Sequence, residues 1–180
     1  MIDLGIITLR NWQKQDIKSL VKNANNKNVW NNLRDDFPNP YTELAAQQWI
    51  EIANQNNPLT NFAIIYKEHA IGGIGVNLQT DVYRNNAEMG YWLGEKYWHK
   101  GFATKALKSM IEYTFTNFEV DRIFAQVFES NDSSKRVLEK VGFSFEARLR
   151  QAIIKNNKIQ DCLIYSVLKS EYRNIIGYAF

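Results

Sequence analysis

The chain is predicted to fold as an α/β (α+β) domain: a mixed, largely antiparallel, twisted sheet with helices on both faces. Three observations carry that prediction. Runs with strand-like and helix-like hydrophobic periods alternate along the chain. Three strand-like runs follow one another between Phe62 and Leu93 with no helix among them, which favours antiparallel neighbours. A strand ending near Leu93, a long amphipathic stretch and a strand starting at Ile123 then make a β-α-β passage, which favours one parallel pair. A sheet must bury its apolar faces, and the amphipathic stretches are the elements available to cover them.

Residues 6–9 form the first strand. Asp16 opens a short amphipathic helix with Ile17, Leu20, Val21 and Ala24 on one side. An asparagine-rich patch follows, with Asn23, Asn25, Asn26, Asn28, Asn31 and Asn32 around a helical turn at Val29 and Trp30. Asn suits turns and caps, so the patch reads as a polar connection. In Phe37-Pro38-Asn39-Pro40-Tyr41 each proline keeps the residue before it out of the helical region. Thr42 is then an N-cap, with Glu43 in the first turn of a helix over 43–54. Residues 62–66 are a strand of β-branched and aromatic residues. Lys67-Glu68-His69 turns the chain into an antiparallel partner over 70–78, where Gly72, Gly73 and Gly75 signal a bulge or a close backbone approach. A further strand covers 87–93. Residues 101–118 are the clearest helix, with Ala103, Ala106, Leu107, Met110, Ile111 and Thr114 at helical spacing. A short buried strand at 123–127 leads to a helix over 133–141, and Gly142 sits where a left-handed C-cap belongs. Residues 143–149, then 153–155, Asn156-Asn157 and 158–168 read as strands closing in a hairpin.

Composition narrows the class. The 180 residues are one domain's worth at roughly 100–200 residues per domain. Hydrophobic residues at 45% and charged residues at 23% are ordinary for globular chains and argue against disorder, collagen and membrane bundles. No run of 18 apolar residues occurs and the N-terminus lacks the pattern of a signal peptide, so no membrane partner and a cytoplasmic location are expected. One Cys rules out internal disulfides, and with two scattered His it makes no metal site. A net charge of +3, with no aromatic-interleaved basic motif, argues against nucleic acid.

The most informative stretch is Gly94-Glu95-Lys96-Tyr97-Trp98-His99-Lys100-Gly101-Phe102-Ala103-Thr104, where a strand ends and a long helix begins at a glycine. Backbone N–H groups at a helix start, together with the helix dipole, attract an anion. Gly101 allows close approach, Ala103 keeps the next turn small, and Lys96, Lys100 and Lys105 add positive charge. The P-loop requires Gly-Lys followed by Ser or Thr, and the dinucleotide fingerprint requires three spaced glycines; neither fits.

Residues 97–107 resemble the acyl-CoA signature of the GNAT N-acetyltransferase family, most closely its RimJ/RimL-like branch, which acetylates ribosomal-protein N-termini and reads Tyr-Trp-Gly-Lys-Gly-Tyr-Ala-Thr-Glu-Ala here. Gly101 and Ala103 match the wider pattern Gln/Arg-x-x-Gly-x-Gly/Ala; Trp98 departs from the Gln/Arg position, where this branch often carries Trp. Residues 131–143 resemble the family's Asn-x-x-Ser-x-x-Val-Leu-Glu-Lys-x-Gly-Phe, and residues 87–93 its strand before the signature. The resemblance implies the acyl-CoA N-acyltransferase fold over residues 7–172, with 173–180 as a short C-terminal tail. It implies acetyl-CoA as co-substrate, its pyrophosphate on the amides of His99, Lys100, Gly101, Phe102, Ala103 and Thr104. The pantetheine arm would lie along Trp92 and Leu93 with Phe124 and Ala125, pairing as an added strand would. Asn131 would reach the arm near its thiol, with Lys135 adding charge; Asn131 also reads as the N-cap of the following helix.

Transfer to an amine requires a deprotonated acceptor, because a lysine-like ammonium has a pKa of about 10.4 and an α-amino group about 7.7–8.0. It also requires a donor for the oxyanion and a proton for the thiolate. Glu88 is the candidate base, on a strand of otherwise apolar and small residues where burial would raise its pKa; the alternative is a structural carboxylate. Ser134 is the candidate acid by position, or a hydrogen-bonding group. Arg34 and Tyr41 lie where the family builds a wall of the acceptor site; the alternative is a proline-fixed loop packing Phe37 and Tyr41. The expected reaction is direct attack by a primary amine, on a protein N-terminus or a small molecule, with the chain as monomer or homodimer. The competing reading is a non-catalytic module binding CoA or another phosphate ligand.

Overall fold

The computed structural model describes the backbone of residues 1–176 and the side chains of residues 1–172. The elements, in chain order, are β1 (Ile2–Asp3), β2 (Thr8–Arg10), α1 (Ile17–Ala24), α2 (Lys27–Trp30), α3 (Glu43–Ala53), β3 (Asn61–Tyr66), β4 (His69–Leu78), β5 (Asn86–Leu93), α4 (Phe102–Asn117), β6 (Arg122–Phe128), α5 (Asp132–Lys140), β7 (Ser144–Lys155), β8 (Lys158–Leu168) and α6 (Lys169–Ile176). Hydrogen bonding links the strands in the order β1-β2-β3-β4-β5-β6-β8-β7. The β5–β6 pair is parallel, while β1–β2, β2–β3, β3–β4, β6–β8 and β7–β8 are antiparallel. The mixed, mostly antiparallel sheet expected from the pattern is present.

The chain divides into two compact units: residues 1–75 with 91–106, and residues 76–90 with 107 onward. In the first unit, Trp12, Leu20, Ala24, Ala46, Ile50 and Ala53 bury themselves with Ala63, Ile65 and Ala70 of β3 and β4. Neighbouring strand residues point to opposite faces. Accordingly Tyr66, next to Ile65, meets different partners, Tyr97 (6.1 Å) and Phe102 (5.0 Å). The Arg10 guanidinium grips the buried Asp16 carboxylate at 2.7 and 2.8 Å and so fixes the entry to α1. Thr42 caps α3 as expected, accepting Ala45 N–H at 3.1 Å. The glycines of β4 do both things the sequence suggested. Ile71 is passed over between the pairs Ile64–Gly72 and Ile65–Ala70, and a side chain at Gly72 would begin 2.2 Å from the Trp92 carbonyl.

In the second unit, Ile123, Ala125 and Val127 of β6 and Val167 of β8 are buried, as are Leu107, Met110 and Ile111 of α4 and Leu138 of α5. α5 ends as predicted at Gly142 (φ +99°), whose N–H donates to Glu139 O while Phe143 N–H donates to Leu138 O. Asn156 and Asn157, at φ +52° and +59°, turn β7 into β8.

Three expectations change. β1 was not anticipated; two residues are too few to show a period. The strands expected at 143–149 and 153–155 are one strand, β7, because the break between them is a bulge: Gln151 adopts φ +53° and its N–H is caught by Asp161 Oδ1 at 2.8 Å. After the last strand, where no element was expected, the chain forms α6, in which buried Tyr172 donates to Lys108 O at 3.1 Å and its ring lies 5.9 Å from Phe115. Residues 177–180 of the expected tail lie outside the described residues.

Candidate active site

The first unit holds the turn read from the sequence as a candidate anion site. β5 ends at Leu93, and Trp98 folds back so that its indole N–H donates to Leu93 O at 2.8 Å. The chain then rises through His99 (φ +58°) and Gly101 (φ +75°) into α4, whose ladder begins with Lys105 N–H on Gly101 O. Gly101 is exposed, and a side chain built on it would meet nothing within 4 Å. α4 carries no acidic residue in its first turn. The amides of Phe102, Ala103 and Thr104 belong to the helix start, which lacks intrahelical acceptors. Tyr97 and Phe102 are buried and anchor the turn, while His99 and Lys100 are exposed. These residues suit a pyrophosphate: a glycine opening, helix-start amides and lysines, with no carboxylate in the first turn.

The same unit holds the residues expected at the acceptor. Tyr41 is buried, and burial pushes its hydroxyl up to about 12. Its ring lies 4.9 Å from Phe37, and Phe37 lies 5.5 Å from half-buried Trp92. Arg34 is exposed, its carbonyl accepting Phe37 N–H at 3.1 Å. The structure thus brings Tyr41 and Trp92 into one aromatic group through Phe37 and leaves the Arg34 side chain at the surface. Leu93, expected along the pantetheine arm, accepts the Trp98 indole N–H at its carbonyl, which keeps a second lone pair.

In the second unit Glu88 faces Phe124 across the parallel ladder, and Phe124 faces Ser166 across the next. Glu88 is half-buried rather than buried, because the alternation of β5 gives the buried face to Ala87 and Met89. Two residues before Glu88, Asn86 accepts from Arg122 at 2.9 Å; Arg122 also pairs with Glu146, which accepts from Ser166. The Arg122 guanidinium, aided by the Ser166 hydroxyl, holds the Glu146 carboxyl below its usual range. Asn131 caps α5, its Oδ1 accepting Ser134 N–H at 3.1 Å. Lys135 reaches back to Glu129 O (2.9 Å) and Asp132 Oδ1 (2.6 Å). Cys162 is buried. Among the described residues no His, Cys, Asp and Glu cluster could hold a metal ion, and no helix is long and apolar enough to cross a membrane.

Sequence reasoning missed Trp98 as the residue that closes the turn, and it missed Glu95, which accepts from both Asn26 and Asn28. The available signal was the asparagine-rich patch, which read as a connection.

Residues 7–144 match the acetyltransferase (GNAT) domain family. An uncharacterized N-acetyltransferase p20 of Bacillus licheniformis is 34% identical over 139 residues, covering 74% of this chain and 78% of that protein. The ribosomal-protein-serine acetyltransferase of Escherichia coli is 30% identical over 105 residues, covering 58% of each chain. Mycobacterium smegmatis RimJ, solved in complex with CoA-disulfide, superposes with a TM-score of 0.81 at 21% identity, over 93% of this chain and 84% of that one.

Proposed function

Because the chain belongs to the GNAT acetyltransferase family, we propose that it transfers the acetyl group of acetyl-CoA to a primary amine, on a protein N-terminus or a small molecule, by direct attack in a ternary complex. Residues 7–172 are read as the catalytic domain. The observation that carries the reading is the open helix start: Gly101 at φ +75°, exposed, ahead of a first turn without acids. Bound acetyl-CoA supplies an acetyl group activated as a thioester. Phe102, Ala103 and Thr104 hold its pyrophosphate through their amides, with His99, Lys100 and Gly101 shaping the turn. Trp92 and Leu93 line the arm through their backbone groups and the Trp92 ring. Asn131, whose Oδ1 caps α5, offers its amide Nδ2, and Lys135 supplies positive charge.

Glu88 takes the proton from the acceptor ammonium. Its half-buried setting leaves it open to exchange that proton with water. Ser134 lies in the first turn of α5 and hydrogen-bonds the departing sulfur; a serine hydroxyl is a poor proton donor, so water completes that step. Phe37, Tyr41 and Arg34 shape the acceptor wall. The Escherichia coli relative is named for a ribosomal-protein serine, which makes a peptide with an N-terminal serine the first acceptor to test. The test is thiol release from acetyl-CoA against a panel of N-terminal peptides and small amines. At least one acceptor is expected to release thiol stoichiometrically with acetylated product. Tight CoA binding with no release from any acceptor would leave a binding module in place of the proposed reaction.

A further inference from the structure

Three asparagines of the patch face the segment that leads into the anion-binding turn. Asn26 Nδ2 donates to Glu95 Oε2 and Asn28 Nδ2 to Glu95 Oε1, each at 2.8 Å. These two amides hold the Glu95 carboxyl below its usual range. Asn23 donates to Ser19 O (3.0 Å) and Ala70 O (2.9 Å), and its Oδ1 lies 2.6 Å from where a side chain at Gly94 would begin. Asn26 also caps α2, its Oδ1 accepting Asn28 N–H at 2.8 Å and Val29 N–H at 3.2 Å. From the far end of α2, Trp30 Nε1 donates to Phe37 O at 3.1 Å, and the Phe37 ring packs tilted against Tyr41 and edge-on against Trp92. All of these residues belong to the first compact unit.

α2 is a single turn, and a helix that short has little stability of its own. Its order therefore depends on its attachments, Glu95 at one end and Phe37 at the other. Each exposed bond to Glu95 is individually weak. Together they fix a carboxylate by both oxygens and so fix the start of the turn relative to α2.

We propose that Asn26, Asn28 and Glu95 form a positioning clamp through which coenzyme in the turn at 94–104 orders the acceptor wall at 30–41. The proposal rests on the coenzyme reading above. Such coupling is reciprocal, so an ordered acceptor wall also tightens coenzyme binding.

Hydrogen exchange on the full chain, with and without CoA, tests it. In the unmodified chain CoA should slow exchange across 94–106 and also across 26–41, the latter by about fivefold, the low end of ordinary coupling between sites. In Asn28→Ala, which keeps the Asn26 cap, and in Glu95→Gln, protection at 94–106 should persist while the change at 26–34, the part away from the Phe37–Trp92 contact, disappears. Two variants that differ in which partner is lost guard against one failing to fold, as monitored by circular dichroism. Protection confined to 94–106 in the unmodified chain, or coupling to 26–34 retained in both variants, overturns the clamp. If calorimetry shows no CoA binding to the unmodified chain, the coenzyme reading fails first and the clamp falls with it.

Discussion

α4 begins behind Gly101, a residue with no side chain to cap it, and its first turn contains no acid. α5 begins behind Asn131, whose side chain accepts Ser134 N–H, and its first turn contains Asp132, bonded to Lys135. Both helices present the positive end of a dipole and amides without intrahelical acceptors. In α5 the protein's own side chains answer part of that demand, and Lys135 holds the Asp132 carboxyl below its usual range. At α4 the residue types that would do so are missing. The difference shows how one physical feature is closed by the chain's own side chains in one place and left open in another. A helix start is left open to an anion through what the sequence withholds.

The comparison can be broken most severely at α4. In Gly101→Glu, a carboxylate is added to the open start at a backbone angle that disfavours side chains. Juxtaposed like charges cost several kcal/mol, so CoA affinity by calorimetry should fall about a hundredfold or more. Unchanged affinity would remove the coenzyme from this turn. Glu88→Gln separates chemistry from binding: turnover should drop by about a hundredfold, the lower end for a general base, while CoA affinity holds. Equal turnover would remove Glu88 as the base. The smallest effect belongs to the closed start. Asn131→Ala should cost about 1 kcal/mol of stability in urea unfolding, the ordinary worth of a lost N-cap. If Asn131 also contacts the coenzyme through its amide, CoA affinity should fall in the same variant; affinity unchanged alongside lost stability would confine Asn131 to capping.

Much of this was legible locally. Thr42 and Asn131 cap their helices, Gly142 ends α5 in the left-handed conformation, and the β-α-β passage gives the parallel pair. Each of these depends on a few neighbouring residues. The misreadings have a common cause in contacts distant along the chain. Asp161 turns an apparent strand break at Gln151 into a bulge, and Tyr172 of α6, a helix the pattern did not announce, reaches back to Lys108. Glu88 was expected to be buried by its neighbours in sequence, but those neighbours point to the other face.

The sequence by itself determined the order of elements, the glycine-led helix start with its lysines, and the blocks that resemble one enzyme family. These are short-range properties: period, capping chemistry and motif spacing. Only the tertiary structure decided that the asparagine patch grips Glu95, that Trp98 closes the turn on Leu93, and that Phe37 joins Tyr41 to Trp92. An asparagine amide donates equally well to its own backbone or to a carboxylate far along the chain. Its local sequence cannot choose between them; packing within the unit makes the choice.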